Sequence, residues 1–528
     1  MRYISSFTGG KDQMNYIADQ WKKTGIRYKY AFLSTVLFGI FSHGMMLFNK
    51  FSNHDDLRYF FEGGNTLTFG RWMLYLLLRG EKYLFGDGKF SLPLINGSLT
   101  IFCIGAALCL LISLLDIRST TLCILLGGIM VSYPVVTCML GYMFTAHYYG
   151  IGLFLSVLGP YLILKKDKPL AFLAGIIASA CSVGVYQAFI PVTICVFLFG
   201  LMKMFNDTEG RGERLHVWKK AAFCCLSCAL FMGLYLLIMK LSLRYSGAEL
   251  SNYKNISSFD QTPLKVYLHR AVSAYKEFFL PARGTAYDLL PGNLRSLYYA
   301  AIAGILLLFA ALLFMKRRDP LKVLILAFLV LWVPLGVNFI FVISGSGFFA
   351  MMFYGRVMLF VFLAWLIERT AGSLSALPGR TLMDICLAIL GLTVLMYCRF
   401  NNICYLRMEM MQSQAIRYFS TLVTRIQSTE GYNTWLPVSY IYFPHPGTYD
   451  NSIEEIPEFE YIKIHPYFGI RQTVGDNVWK QYLKYWCGYS AHEMDQSYFI
   501  DRPEVRAMPH YPDEGSIRVI DDTVVVKF

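Results

Sequence analysis

The chain has 528 residues, of which 55% are hydrophobic and 16% charged, and its formal net charge is +13. This composition excludes an ordinary soluble globular protein. The apolar residues form repeated runs of roughly 17–25 residues, the length that a helix needs to cross a bilayer. Because spanning segments must satisfy their own backbone hydrogen bonds, the runs predict an all-α polytopic membrane protein. The basic residues cluster in short loops between the runs, which is typical of membrane topology and does not indicate nucleic acid binding.

The first 27 residues are polar, so no cleavable signal peptide is expected before the first apolar run at residues 28–48. Basic residues in this segment favour a cytoplasmic N-terminus. They are Lys11, Lys22, Lys23 and Arg27. The first span is followed by a long loop, residues 49–90, which we place on the outer side of the membrane. Within it, residues 72–78 are apolar but too few to span, so we predict a helix that lies along the membrane interface.

About eleven spans are predicted in total. They lie near residues 28–48, 91–115, 121–141, 147–164, 169–185, 187–204, 220–242, 296–315, 321–343, 351–367 and 381–398. Every second loop between them is basic, which supports the assignment. The long apolar run 169–204 is divided near Tyr186-Gln187 because the division preserves this alternation. An odd number of spans from a cytoplasmic start places the end of the chain outside.

The last 130 or so residues differ in kind from the spans, with few apolar runs and many tyrosines, prolines and charges. The predicted elements, in order, are an amphipathic helix at 403–428, a strand at 436–443, a short helix at 477–486 and a β-hairpin at 517–528 that turns at Asp521-Asp522. We therefore expect two domains, a transmembrane domain at 1–398 and a small extracytoplasmic α/β domain at 399–528.

The first candidate for chemistry is the pair Asp55-Asp56, which follows the first span directly. Acidic residues at the membrane surface are costly unless they have a function. A carboxylate there can act as a general base that takes the proton from a hydroxyl group. The alternative interpretation is a solvated helix cap, which is common for acidic residues at such a position.

Arginines and aromatic residues accompany this pair on the loops assigned to the outer side. Arg58 and Arg71 are suited to hold a phosphate group, or they pair only with lipid phosphates. Arg356 lies within a predicted span, where a charge normally faces a partner or a polar cavity. His147 and the pair Tyr186-Gln187 fit substrate contacts, although an interfacial role explains His147 equally simply. A carboxylate, arginines and aromatic faces are together the parts needed to transfer a sugar from a lipid phosphate to a hydroxyl group.

These residues resemble the bacterial Gtr-type glucosyltransferases, polytopic enzymes of the GT-C class that modify O-antigens and related cell-surface glycans. The matching stretches, in order, are Asp55-Asp56 with Arg58, Gly70-Arg71-Trp72, Gly184-Val185-Tyr186-Gln187, Tyr354-Gly355-Arg356-Val357-Met358, Asn401-Asn402 and the closing hairpin. The resemblance covers nearly the whole chain, and the order, the spacing and the topology of the motifs agree together.

The resemblance implies a GT-C-like fold and the transfer of a hexose, glucose by the family's name, from a polyprenyl-phosphate-linked donor to a hydroxyl group of a glycan acceptor. It implies that Asp55 or Asp56 is the catalytic base and that the anomeric centre is inverted. The candidates for binding the donor phosphate are Arg58, Arg71 and Arg356. The candidates for binding substrate are His54, His147, Tyr186, Gln187, Tyr354 and Arg399. The implied location is the bacterial cytoplasmic membrane, with the C-terminal domain outside.

No cofactor or metal is required by this scheme, since the donor already carries its leaving group and arginines can neutralise it. A divalent ion at Asp55 and Asp56 is the alternative. A flippase for lipid-linked oligosaccharides is the competing function from another class. Transport would favour ionisable residues near the bilayer midplane and inverted repeats, and the sequence shows neither. A polysaccharide polymerase or ligase, which would use a different lipid-linked donor, is the third hypothesis. The sequence leaves the oligomeric state open.

Overall fold

The computed structural model describes residues 24–59, 66–86, 90–251, 263–374, 377–441, 456–459 and 478–528. Within these ranges the chain is a polytopic all-α membrane protein with a small sheet near its C-terminus, which confirms the predicted fold class. The predictions for Lys11, Lys22 and Lys23 and for the side chain of His54 fall outside the described part of the chain.

The first group of helices surrounds the loops that hold the candidate site. These helices are α1 (Ile26–Phe48), α2 (His54–Arg58), α3 (Trp72–Phe85), α4 (Pro93–Leu115), α5 (Thr120–Ser132), α6 (Pro134–Gly141), α7 (Ala146–Lys165), α8 (Pro169–Val185), α9 (Ile190–Asp207) and α10 (Arg211–Ser246). Short 3-10 helices at Leu67–Phe69 and Gln187–Phe189 precede α3 and α9.

The second group continues the bundle to the C-terminal domain. These helices are α11 (Leu264–Phe279), α12 (Asn293–Met315), α13 (Pro320–Leu331), α14 (Val333–Val337), α15 (Ile340–Ile343), α16 (Met358–Thr370) and α17 (Leu377–Gln427). A 3-10 segment, Ala350–Val357, leads directly into α16.

Prolines determine where several of these helices begin or bend. Pro169 and Pro320 stand in the first turn of α8 and α13, where a missing N–H is harmless. Pro134 separates α5 from α6, and the two helices are bent by 42°. Tyr186 is extended between α8 and the next 3-10 turn, so the predicted division of the run 169–204 is confirmed.

The number of spans is lower than predicted when length and composition are counted. Among the described residues, nine helices are long and apolar enough to cross a membrane, and the bent pair α5–α6 makes a tenth. The remaining predicted span coincides with α8, which has 17 residues. At 1.5 Å per residue such a helix covers about 25 Å, less than the roughly 30 Å of hydrocarbon in a typical bilayer.

Contacts between loops distinguish the two ends of the bundle. At one end, which we call the cap end, the segment after α1 meets the loops before α4 and α7. At the other end, Arg27 donates to the Asp116 carboxylate at 3.2 Å and Arg369 donates to the Leu115 carbonyl at 2.8 Å. The basic residues of this second end agree with the charge alternation read from the sequence.

Glycines allow a close helix crossing between α7 and α8. A Cβ atom at Gly159 would lie 2.8 Å from the carbonyl oxygen of Gly175, and a Cβ atom at Gly175 would lie 2.8 Å from that of Gly159. Both contacts are with backbone, which cannot move aside. Small residues at such positions let helices approach in a lipid environment, where packing rather than water exclusion drives association.

The C-terminal domain begins on a helix that also belongs to the bundle. The predicted span 381–398 and the predicted amphipathic helix 403–428 form one continuous helix, α17, with 51 residues. The later elements are β1 (Val438–Ile441), α18 (Trp479–Tyr485), α19 (Pro503–Arg506), β2 (Ile517–Ile520) and β3 (Thr523–Lys527). The sheet has the order β1-β3-β2, in which β3 pairs with β1 in parallel and with β2 in antiparallel.

The closing hairpin is formed as its turn residues predict. Ile520 pairs with Thr523, so the two residues between them form the turn. Asp521 and Asp522 have φ angles of 47° and 53°. A two-residue hairpin with two positive φ angles is a type I′ turn, in which Asp is one of the favoured residues. Phe528, next to β3, packs with Trp479 and Tyr440 in the core of this domain.

We predict that Gly159→Leu disrupts the crossing of α7 and α8 and lowers the thermal unfolding temperature of the detergent-solubilised protein by at least about 5 °C, since overpacking against backbone typically costs about 1–3 kcal/mol or more. Gly233→Leu on α10 is the matched control, because no atom lies within 4 Å of the Cβ position there. Equal unfolding temperatures for the two variants would contradict this account of the crossing.

Candidate active site

The pair Asp55-Asp56 lies on the short helix α2, close to the end of α1. Asn53 caps this helix, since its Oδ1 accepts a hydrogen bond from the Asp56 N–H at 2.7 Å. Asn is among the best residues at an N-cap, and acidic residues in the first turn interact favourably with the positive end of a helix. The helix is therefore capped by Asn53, not by Asp55 or Asp56.

The two aspartates have different surroundings. The Asp56 side chain is fully buried, and its Oδ1 accepts hydrogen bonds from the Ser91 hydroxyl at 2.6 Å and from the Phe144 N–H at 3.1 Å. Its Oδ2 forms an ion pair with Lys50, whose ammonium also donates to the Ser91 hydroxyl at 2.6 Å. Burial lowers the pKa of Lys50, and the charge of Asp56 opposes this change. Both oxygens of Asp56 are thus occupied by protein groups.

Asp55 is only partly buried. Burial raises the pKa of the Tyr142 phenol well above its usual value, and the negative charge of Asp55 raises it further. Tyr149 and Tyr186 also act on Tyr142, and their rings are adjacent, with centroids 5.2 Å apart. These three residues form a tyrosine cluster, and Asp55 lies near its Tyr142 member.

Arg71 lies at the same cluster of tyrosines. Its guanidinium carbon is 4.9 Å from the centroid of the Tyr186 ring, and its Nη1 donates to the Tyr149 hydroxyl at 3.4 Å. A guanidinium over an aromatic face keeps its N–H donors directed sideways, where they can bind an anion. Arg71 thus contacts Tyr149 and Tyr186, whereas Asp55 acts on Tyr142, the third member of the cluster.

The motifs Gly70-Arg71-Trp72 and Gly184-Val185-Tyr186-Gln187 pack against each other. Gln187 donates to the Phe69 carbonyl at 2.8 Å and to the Tyr235 hydroxyl at 3.1 Å. Gly70 has a φ of +70°, and a Cβ atom there would lie 2.7 Å from that hydroxyl. Trp72 is accommodated by Gly184, where a Cβ atom would lie 2.6 Å from the indole ring. These contacts fix the backbone that carries Arg71.

Arg71 also lines a large apolar groove of about 670 Å³. The groove lies between the start of α9, the second half of α10 and the segment around α15. Its lining includes Tyr186, Phe231, Tyr235, Met239, Tyr267, Phe339 and Ile340. The charged side chains among the described lining residues are those of Arg71 and Lys240, and both are cationic. An apolar groove with cationic groups suits a ligand that combines a hydrocarbon chain with a negative head group.

The family assignment rests on a sequence comparison. The model of the family described as "Glucosyl transferase GtrII" matches residues 44–360, which is more than half of the chain. The chain belongs to the GtrII glucosyltransferase family. No curated protein and no solved structure matches it. The match includes α2, the Arg71 motif, the groove and Arg356, and it confirms the resemblance seen in the sequence.

The structure places Arg356 of this GtrII family member away from the groove lining, in a buried polar cluster. Its Nε donates to the Asn338 Oδ1 at 2.9 Å, and its Nη2 is 3.5 Å from the Glu277 carboxylate. Its guanidinium carbon is 4.4 Å from the Phe353 ring centroid. The charge within a span therefore has a carboxylate partner, which is one of the two explanations considered for it.

The remaining predicted substrate residues of the GtrII protein are dispersed. Tyr354 is buried, and its hydroxyl donates to the Met130 carbonyl at 2.8 Å. His147, at the start of α7, lies with its Nε2 3.3 Å from the Glu81 carboxylate. Arg58 and Arg399 are exposed on α2 and α17. The site brings together Asp55, Asp56, Arg71, Tyr186 and Gln187, whereas these four residues have other neighbours.

Several residues that organise the site were not predicted. Lys50, Ser91 and Gln412 contact the aspartate segment, and Glu277 pairs with Arg356. Lys50 directly follows the first span, so its proximity to Asp56 was the one signal that the sequence offered. The others are separated from their partners by 35 to 360 residues, and no local pattern connects them.

We predict that Asp56→Asn destabilises the protein by about 3 kcal/mol, because breaking a buried ion pair leaves the Lys50 ammonium without its counter-charge. The measurement is the unfolding temperature of the purified protein in detergent, compared with that of Asp55→Asn. Asp55 is only partly buried, so its variant should lose less stability than Asp56→Asn. An Asp56→Asn protein with the unfolding temperature of the wild type would show that this network does not stabilise the fold.

Proposed function

We propose that this protein is a membrane glycosyltransferase that transfers a hexose, glucose by its family's description, from a polyprenyl-phosphate donor to a hydroxyl group of a glycan. The observation that carries the proposal is the double position of Arg71. It lines the apolar groove and also contacts Tyr149 and Tyr186 of the tyrosine cluster, whose third member, Tyr142, lies near Asp55. A lipid tail in the groove would bring its phosphate to Arg71 and its sugar toward Asp55.

In the proposed reaction, Asp55 is the general base and Asp56 is a structural residue. The Asp55 carboxylate takes the proton from the acceptor hydroxyl, whose oxygen forms a bond to the anomeric carbon of the sugar. The bond between this carbon and the phosphate oxygen breaks, and its electron pair leaves with the polyprenyl phosphate. Arg71 stabilises the charge that develops on the departing phosphate. A single displacement of this kind inverts the anomeric centre.

The choice of Asp55 over Asp56 follows from the burial of the two carboxylates, since Asp56 is fully buried and Asp55 is only partly buried. A general base needs an oxygen that an acceptor hydroxyl can reach. The two oxygens of Asp56 are engaged by Lys50, Ser91 and the Phe144 N–H inside the protein. Lys50 also supplies the positive charge at Asp56 that a divalent ion would otherwise bring, so the proposed chemistry uses no metal.

The proposed roles of the other candidates follow from their contacts. Gln187 positions the backbone of Arg71, and Tyr186 offers its ring to Arg71 and the sugar. Arg356 anchors α11 to the bundle through Glu277 rather than binding the donor phosphate. The cap end is proposed to face outward from the bacterial cytoplasmic membrane, since the basic contacts described above lie at the opposite end.

We predict that Asp55→Asn lowers the rate of sugar transfer by about 10²–10⁴-fold while the protein remains folded, because general-base catalysis contributes about that much. Transfer of labelled glucose from polyprenyl phosphate glucose to isolated cell-surface glycan measures the rate. Asp522→Asn in the hairpin turn is the control and should retain wild-type transfer. If Asp55→Asn transfers sugar at the wild-type rate, Asp55 is not the base.

We predict that Arg71→Ala lowers kcat/KM for the lipid-linked donor by about 10²–10³-fold, as expected when a group that stabilises developing charge is removed. Arg71→Lys should recover part of this loss, because it keeps the charge but not the paired donors. Arg79→Ala on α3, the helix that Arg71 directly precedes, is the matched control, and its guanidinium lies over Tyr75. Equal losses in Arg79→Ala and Arg71→Ala would argue against a specific phosphate site.

The donor assay also separates the proposal from its competitors. A glycosyltransferase of this kind uses a single sugar on a lipid monophosphate, whereas a polymerase or ligase would use an oligosaccharide on a lipid diphosphate. Activity with the oligosaccharide diphosphate donor and none with the monophosphate donor would contradict the proposal and favour a polymerase or ligase. Movement of the intact donor across vesicles without sugar release would favour the flippase.

A further inference from the structure

We infer that the C-terminal domain is a working part of the active site, because it holds the Asp55 segment in place, and that Gln412 is the positioning residue for this segment. The inference rests on the proposed role of Asp55 as the base. It goes beyond that role because it assigns a catalytic purpose to a helix outside the residues that match the GtrII family.

Gln412 binds the chain just before α2 with both ends of its side-chain amide. Its Oε1 accepts a hydrogen bond from the Ser52 N–H at 2.9 Å, and its Nε2 donates to the Lys50 carbonyl at 2.8 Å. The Gln412 side chain is buried, as is Ser52. Two hydrogen bonds from one planar amide fix both the position and the direction of the backbone that enters α2.

Leu57 connects the same helix to the core of the C-terminal domain. It is fully buried, although it belongs to the loop between two membrane helices. Its hydrophobic cluster consists otherwise of residues from the C-terminal domain, including Ala415, Phe419, Leu422, Trp479 and Tyr482. Leu57 is two residues after Asp55, which places the two side chains about 200° apart around the helix axis. Burying Leu57 in the C-terminal domain therefore turns Asp55 the other way.

Three consecutive residues of α2 thus face three different neighbours. Asp55 lies near Tyr142, Asp56 binds Lys50, and Leu57 packs in the C-terminal domain. A helix of five residues has almost no stability of its own, since isolated helices below about 12 residues are marginal. The orientation of Asp55 must therefore come from these outside contacts.

The helix that carries Gln412 is suited to this task. α17 runs without interruption from the bundle to the C-terminal domain, and Gln412 lies on its part beyond the predicted span. Its Asn401 donates to the Ser132 carbonyl at 2.6 Å, which ties the helix to the bundle near the site. Gln412 thus holds Asp55 in a fixed position relative to the bundle. This position matters because a displacement of a reacting group by about 1 Å can lower the rate about 100-fold.

The test compares Gln412→Ala, Gln412→Glu and the matched control Gln414→Ala in the full-length protein. Gln414 is on the same helix, and the described contacts to residues 50–52 come from Gln412. We expect Gln412→Ala to lower kcat by about 10–100-fold with little change in the donor KM, because the donor groove is untouched. Gln412→Glu should also lose activity, since its carboxylate still accepts from Ser52 but sets a buried anionic oxygen against the Lys50 carbonyl. Gln414→Ala should match the wild type.

Hydrogen exchange of residues 50–58 supplies a second measurement that does not depend on activity. Exchange should become faster in Gln412→Ala and remain unchanged in Gln414→Ala. Wild-type kcat and wild-type exchange in Gln412→Ala would overturn the inference. If Gln412→Ala does not fold, Gln412→Glu decides the question by the same two measurements. Full activity of Asp55→Asn would instead defeat the proposed function, and the exchange experiment would still test whether Gln412 holds the segment.

Discussion

A buried carboxylate at the edge of a bilayer must be compensated, and the structure of the candidate site depends on how Asp56 is compensated. Its ion pair with Lys50 and its bonds to Ser91 and the Phe144 N–H join the ends of three loops at one point. Removing any one partner would leave a buried polar group unsatisfied, so the loops cannot separate cheaply. These bonds of Asp56 also fix the position of the neighbouring Asp55.

The second constraint is the close approach of backbones, and it explains two short motifs together. Gly70 and Gly184 have no side chain because Tyr235 and Trp72 occupy the space that a Cβ atom would need. Their contacts fix Arg71 between the tyrosines and the apolar groove. Arg356, in contrast, forms an ion pair with Glu277 inside the bundle.

The candidate residues of the site could be identified from the sequence, but the contacts that distinguish their roles could not. Asp55, Asp56, Arg71 and Gln187 were all named, and the structure brings them into one region. The sequence left the choice between Asp55 and Asp56 open, and adjacent helix residues such as these point in directions about 100° apart. Glu277 was missed because its partner is far away in the chain and no local pattern marks it.

The sequence by itself determined the features that depend on local interactions. Run lengths set most of the spans, prolines set several helix starts and the bend at Pro134, and Asp521-Asp522 set the type I′ hairpin. Only the tertiary structure decided which carboxylate is occupied, which arginine is neutralised and that one helix joins both domains. The physical reason is that charge compensation and packing depend on contacts between residues as far apart as Ser52 and Gln412, which no local pattern encodes.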